Sequence, residues 1–355
     1  MKKKLSMLGL VVFLGANAFA EDTPQTMEQL KAENITLKEK LANTVVKVED
    51  SGRTELIKQG DQGEDWQISA RTYIENELYS GYDGFHPSEN IFMVGTGLNA
   101  VRGKWGYHLN IEQRLTGHIN SEGADNQLIR SDWKVRYQAN DKVGVAFKYR
   151  AERGNQKRAA WAAESNRDRD RVELGIDTGY EYLSGWLVVG HDVDSGQSQN
   201  GVVSGKGKGW YYEGDMGPTF QLSDDFALRP TFYSTGEFYH GYGGEDNTMY
   251  DHQIRLMGIY QATDKLTIMP RIRYSLYRGV ENTSNKTGNE GTVYESDFRV
   301  RAELLAAYKI NDQWSVDGGI AYDWQDREGG KASGWDKETR TLDMFWYTLG
   351  VNYRF

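Results

Sequence analysis

Cysteine is absent from the 355 residues, and proline occurs only 5 times. Without thiols there is no disulfide framework, no thiolate nucleophile and no cysteine metal site. Long apolar runs are also missing. Outside the first twenty residues nothing approaches the roughly 20 consecutive apolar residues of a membrane-spanning helix, and the mean hydropathy is −0.70. That excludes a helical membrane bundle but not a membrane β-barrel, in which every second residue faces water. Positive charge is in deficit: 42 Lys and Arg against 51 Asp and Glu give a net charge of −9, which argues against a nucleic-acid binder. What the chain does contain is 40 Gly, 22 Tyr and 10 Trp, the makings of turns and strands.

The N-terminus reads as an export signal. Lys2, Lys3 and Lys4 form a basic region, Leu8 to Gly15 an apolar one, and Ala18-Phe19-Ala20 a small-residue cleavage site. The mature chain is expected to begin at Glu21. An uncleaved anchor is the alternative, for which the run is short.

Residues 21–64 differ from the rest in being polar and free of aromatics. Leu30, Leu37 and Thr44 share one heptad position, and Asn34, Leu41 and Val48 the other. The pattern predicts a helix over 27–48, either a short coiled coil or an amphipathic helix packed on its own barrel. A linker from Ser51 to Asp65 follows. The helix is expected to hang on the periplasmic side and to mediate self-association or bind a periplasmic partner.

From Asp65 to Phe355 the period changes to two. Trp66, Ile68, Ala70, Thr72 and Ile74 alternate with Gln67, Ser69, Arg71, Tyr73 and Glu75, and the same alternation recurs to the C-terminus. The stretch from Tyr294 to Ile310 outruns the usual sandwich strand of about 5–6 residues. Rows of Arg and Glu on one face could not fill a soluble core, so the apolar face must point outward into lipid. Six short Asn, Asp, Ser or Gly turns are expected near 101–104, 140–142, 183–185, 223–225, 263–265 and 311–313. Seven long polar loops lie between them. These require fourteen antiparallel strands over 65–355, with both termini on the short-turn side. An even number of antiparallel strands closes without a free edge. Trp105, Tyr107, Tyr182, Trp186, Phe226, Tyr308 and Trp314 are expected to form an aromatic girdle beside the turns.

The ending Leu349-Gly350-Val351-Asn352-Tyr353-Arg354-Phe355, with Trp324-Gln325-Asp326 at the last loop, resembles the OmpG-type monomeric porins of the outer membrane. More loosely, the N-terminal extension is similar to that of FomA-type porins. The resemblance covers 65–355 and implies a passive channel in the outer membrane of a Gram-negative-type bacterium. It also implies that Phe355 is a signal for outer-membrane insertion machinery. The paired lumenal histidines of the OmpG-type gate have no counterpart, because the last histidine is His252.

A fourteen-stranded barrel lies on the open side of the size range in which side chains fill the lumen. The residues expected to line the pore are Arg71, Arg136, Glu173, Asp177, Glu213, Asp215, Arg229, Arg255, Arg271, Arg273, Arg299 and Arg301. Acids on strands six and eight would oppose arginines on strands nine to twelve, or the charges would simply pair. Either way the pore is polar, taking ions and small hydrophilic solutes with weak selectivity. Tyr73, Tyr211, Tyr233 and Trp346 also point inward, as sugar-stacking groups or as plain strand formers. No enzyme is expected: the six histidines show no metal spacing, and a hydrolase would need a nucleophile and base brought together across strands. Asp323, Asp326 and Glu328 read as solvated loop charge, so neither a cofactor nor a metal is expected. The alternative to a porin is a surface adhesin or structural protein acting through its loops or N-terminal helix.

Overall fold

The computed structural model describes residues 44–48, 54–58, 65–79, 89–118, 125–156, 165–199, 202–203, 208–240, 246–282, 291–329, 339–341 and 343–355. Fourteen antiparallel strands form one closed barrel. In chain order they are β1 (Gln67–Tyr79), β2 (Glu89–Arg102), β3 (Trp105–His118), β4 (Asp125–Asn140), β5 (Val143–Gln156), β6 (Ser165–Tyr180) and β7 (Leu183–Gln199). Then come β8 (Lys208–Gly217, resuming at Phe220–Gln221 after Pro218), β9 (Phe226–His240), β10 (Asp246–Thr263), β11 (Leu266–Asn282), β12 (Gly291–Lys309), β13 (Trp314–Gly329) and β14 (Thr339–Thr341 and Met344–Arg354). Val202–Val203 folds back on β7.

Each strand pairs with its sequence neighbours, and β14 closes on β1 from Met344↔Tyr79 to Arg354↔Ser69. The last residue completes the seam, with the Phe355 N–H donating to the Ile68 carbonyl at 3.0 Å. Every strand therefore finds partners on both sides, as a lipid environment demands. The turns are tight. Gly103, at φ 55°, takes the left-handed conformation that lets two residues join β2 to β3. One turn sits two residues earlier than its expected place: Glu181-Tyr182, not Leu183 to Gly185, joins β6 to β7. Leu183, Leu187 and Val189 are outward strand residues, and the lipid-facing period carries β7 down to Leu183.

The outer face is apolar. Leu174, Ile111, Val189, Ile320 and Leu349 are each about half exposed or more, an arrangement that only a lipid solvent makes favourable. Aromatics ring the short-turn rim, where Trp105 meets Tyr137 at 4.8 Å, Trp314 meets Tyr353 at 4.6 Å and Tyr353 meets Phe355 at 4.9 Å. Toward the other rim, on β13, Tyr322 and Trp324 pack with tilted rings 4.7 Å apart. Trp314 and Trp324 lie ten residues apart on one strand, about 33 Å along it. At a tilt of about 40° this is roughly 25 Å across the membrane, the height of the apolar band.

The N-terminal region departs from its expected form where it is described. Thr44–Val48, placed at the end of the heptad helix, is a strand, and it pairs with a second strand, Thr54–Lys58, inside the expected linker. The run Thr-Val-Val-Lys-Val is mostly β-branched, stiff at χ1 and better suited to a pleated strand than a helix. Residues 1–43, which hold the signal and the rest of the heptad stripe, lie outside the described residues.

Candidate functional site

Inside the barrel the inward residues are polar and tightly engaged. A recurring device organises them: a small residue on one strand lets side chains from the two flanking strands meet above it. Tyr73 on β1 lies over Gly95 on β2, so close that a Cβ there would stand 2.2 Å from the ring. Its hydroxyl donates to Glu112 Oε2 on β3 at 2.7 Å. Arg136 on β4 crosses Gly144 on β5 to reach Asp177 on β6 at 2.5 Å. Arg71 on β1 crosses Gly350 on β14 to reach Asp317 on β13, also at 2.5 Å. Tyr211 covers Gly190 on β7, with Glu173 next along that row. These bridges tie second-neighbour strands together without backbone pairing.

Two regions of charge follow. On β4–β7 cations and acids interdigitate: Arg130 with Glu152 at 2.7 Å, Arg150 with Asp132 at 2.6 Å, Lys148 with Glu173 at 2.7 Å and Arg171 with Asp192 at 2.5 Å. On β9–β12 arginines crowd together. Arg255, Arg273 and Arg301 stand directly opposite one another on three successive strands, an arrangement that is destabilising without counter-charge. Glu303 supplies it, bonding Arg271, Arg273 (2.8 Å) and Arg301 (2.5 Å). Arg255 reaches Asp215 at 2.9 Å, and Arg299 joins Asp251 (2.6 Å) to Asp323 (2.7 Å).

All twelve residues expected in the pore therefore point to the inner face. Arg71, Glu173, Asp215, Arg255, Arg271, Arg273 and Arg301 are buried there. Glu213 accepts from the Tyr233 hydroxyl at 3.0 Å, and the Arg229 Nη2 approaches the Ser184 carbonyl at 3.4 Å. The barrel joins Arg271, Arg273 and Arg301 through one carboxylate but keeps Arg136–Asp177 and Arg71–Asp317 as separate pairs. The simple opposition of an acidic and a basic wall does not hold, because β4–β6 carry Arg130, Lys148, Arg150 and Arg171 beside their acids. Those partners, together with Glu112, Asp132, Asp192 and Glu303, obey the same two-residue period and were findable by extending it. Asp323 is a strand residue facing inward rather than loop charge, and Glu181 sits exposed in a turn.

The inward aromatics are occupied. Guanidinium groups lie over Tyr211 (Arg171, 3.8 Å), Tyr233 (Arg255, 3.4 Å) and Trp346 (Arg301, 5.1 Å), which uses the ring faces a sugar would need. Trp346 also joins Met257, Met269, Leu305, Ala321 and Met344 in an apolar patch on β10–β14. Trp186 departs from the expected girdle, since its position on β7 turns it inward. It lines an internal cavity of about 330 Å³, bounded by β1 and β3–β10, with Glu75, Arg114, Lys134 and Glu237 among the wall residues. One serine does meet a histidine across strands: Ser234 Oγ lies 2.9 Å from His252 Nδ1. The pair faces outward among Phe232, Tyr250 and Tyr277. Among the described residues no carboxylate orients that imidazole, as a catalytic triad requires.

No family model matches the chain, and no curated protein matches it. Solved structures similar to it include a FadL homologue of Pseudomonas aeruginosa, with 11% identity, a TM-score of 0.47, and 81% of this chain and 89% of that one covered. The CymD monoaromatic hydrocarbon channel matches at 10% identity and a TM-score of 0.47, covering 81% and 88%. OmpT, an outer membrane protein of Vibrio cholerae, matches at 12% and 0.40, covering 84% and 99%. None reaches a TM-score of 0.5, so the reading of this barrel rests on its own geometry.

Proposed function

We propose that the protein is an outer-membrane porin of OmpG-like architecture that lets ions and small hydrophilic solutes diffuse passively. The observation that carries this reading is the charged, partly open cavity inside a barrel whose outer face suits lipid. Arg, Lys and Glu share its wall, so the field favours hydrated solutes while selecting weakly by sign. A lipid-facing barrel with tight turns on one rim suits an outer membrane, and the proposal takes that rim as the periplasmic one. No chemical step is part of this function.

The test is conductance of the refolded full-length chain in planar bilayers. Discrete, ohmic steps in potassium chloride are expected. A barrel that inserts, as judged by protease protection, yet passes no current would overturn the proposal and leave an adhesive or structural role.

A further inference from the structure

The cavity wall is zoned by charge. Its cations come from adjacent strands, Arg114 on β3, Arg130 and Lys134 on β4, Lys148 and Arg150 on β5 and Arg171 on β6, with one acid among them, Glu173, which pairs with Lys148 at 2.7 Å. Beyond both ends of this arc stand acids, Glu75 and Glu77 on β1 on one side, Glu213 on β8 and Glu237 on β9 on the other, with Glu237 3.4 Å from Arg171 at the edge of the arc. Behind the arc, Glu112, Asp132 and Asp192 are buried and hold the neighbouring guanidiniums in place. The donor Nε of Arg114 and the acceptor Oε1 of Glu173, both in the wall, have no hydrogen-bond partner among the described residues. A cavity of about 330 Å³ falls at the small end of the roughly 300–1,000 Å³ typical of ligand sites.

From this zoning we propose that the cavity is a binding site for small zwitterions, of the class of amino acids and short peptides, which pass through the porin by way of it. The inference rests on the porin reading for passage but not for binding. A carboxylate is drawn to the β3–β6 arc, and an ammonium to Glu213 and Glu237. A solute of one sign meets repulsion from one zone, and a neutral solute gains from neither. Sugars find the faces of Tyr211 and Tyr233 already covered by Arg171 and Arg255.

Liposome swelling with the full-length chain tests the proposal, using diglycine against its neutral analogue N-acetylglycinamide and against N-acetylglycine and glycinamide, which carry one charge each. Diglycine is expected to enter several-fold faster than the other three, with the advantage lost in Glu237→Gln and in Lys134→Gln. The Glu237 side chain is 35% exposed, and Arg171, which it approaches at 3.4 Å, keeps its bonds to Asp192 when Glu237 is replaced, so Glu237→Gln is expected to fold. Should Lys134→Gln fail to fold, Glu237→Gln alone decides. Rates that follow size alone, or an advantage unchanged in the variants, overturn the inference while leaving the porin reading intact. If no solute enters, the porin reading fails, and titration calorimetry of diglycine into the detergent-solubilised barrel decides the site by itself. Saturable heat that is lost in Glu237→Gln upholds the site, and its absence from the wild type refutes it.

Discussion

Replacing Glu303 by Gln removes the one carboxylate that Arg271, Arg273 and Arg301 share. The Glu303 side chain is fully buried, at 0% exposure, and Arg271 and Arg273 are 4% exposed. At an effective dielectric of about 20, a charge contact near 4 Å is worth roughly 4 kcal/mol gross, and three converge here. Most of that offsets the cost of removing four ions from water. The net penalty for breaking such a buried arrangement is about 3–5 kcal/mol. The row Arg255–Arg273–Arg301 adds to it, because without Glu303 these like charges face one another across strands. Urea unfolding of the barrel refolded into phospholipid vesicles, followed by tryptophan fluorescence, should therefore show Glu303→Gln less stable by about 3–5 kcal/mol. Adding Arg271→Gln should return part of the loss, with a coupling of about 0.5–3 kcal/mol in the double-mutant cycle. A loss under about 1 kcal/mol, the scale of an exposed pair, would mean that water solvates Glu303, and would refute the arrangement.

Other outcomes follow from the same geometry. Gly95→Ala forces the Tyr73 ring aside and breaks its bond to Glu112, so it should cost about 1–3 kcal/mol from overpacking in the same unfolding assay; Tyr73→Ala in that background should relieve the clash. Arg136→Gln leaves an Asp177 side chain that is 32% exposed, and its cost should stay below about 1 kcal/mol. Neutralising Arg271, Arg273, Arg299 and Arg301 together makes the lumen more negative, and the reversal potential in a salt gradient should move toward cations; an unmoved potential would place these side chains off the permeation path. Deleting residues 21–63 should leave conductance per barrel unchanged while altering oligomeric mass or anchoring, and a large rise in current would identify the segment as a plug.

The outward half of each strand was legible because a single rule governs it. Lipid on one side imposes an apolar residue at every second position, and Ile68, Ile74, Leu349 and Val351 obey without regard to their neighbours. Strand number followed from the turns, whose residues are likewise chosen locally. The exceptions are local too. Tyr182 and Leu183 fit a turn or a strand about equally in isolation, and only pairing across β6 and β7 settles Glu181-Tyr182 as the turn. Trp186 reads as a girdle residue by its closeness to that turn, yet the two-residue period counted from Leu187 puts it inside. The heptad stripe at 44–48 failed because β-branched side chains satisfy a seam and a strand alike.

The lumen obeys no such local rule, which is why its charges were nameable one at a time but their partners were not. Arg71 and Asp317 are 246 positions apart and become second neighbours only when β14 closes on β1. Which acid faces which arginine depends on register, and register enters through the stagger of the whole closed sheet. One local mark of these bridges does exist in the chain. Gly95, Gly144 and Gly350 occupy inward positions where a side chain would block the crossing. Each is flanked, one strand to either side, by an aromatic or arginine and a carboxylate. An inward glycine in a charged barrel therefore marks where two strands reach over a third. Once the register is known, that mark picks out the Tyr73–Glu112, Arg136–Asp177 and Arg71–Asp317 bridges. The arginine row on β9–β12 carries no glycine of this kind and depends on a shared carboxylate, so its partners had to come from the fold itself.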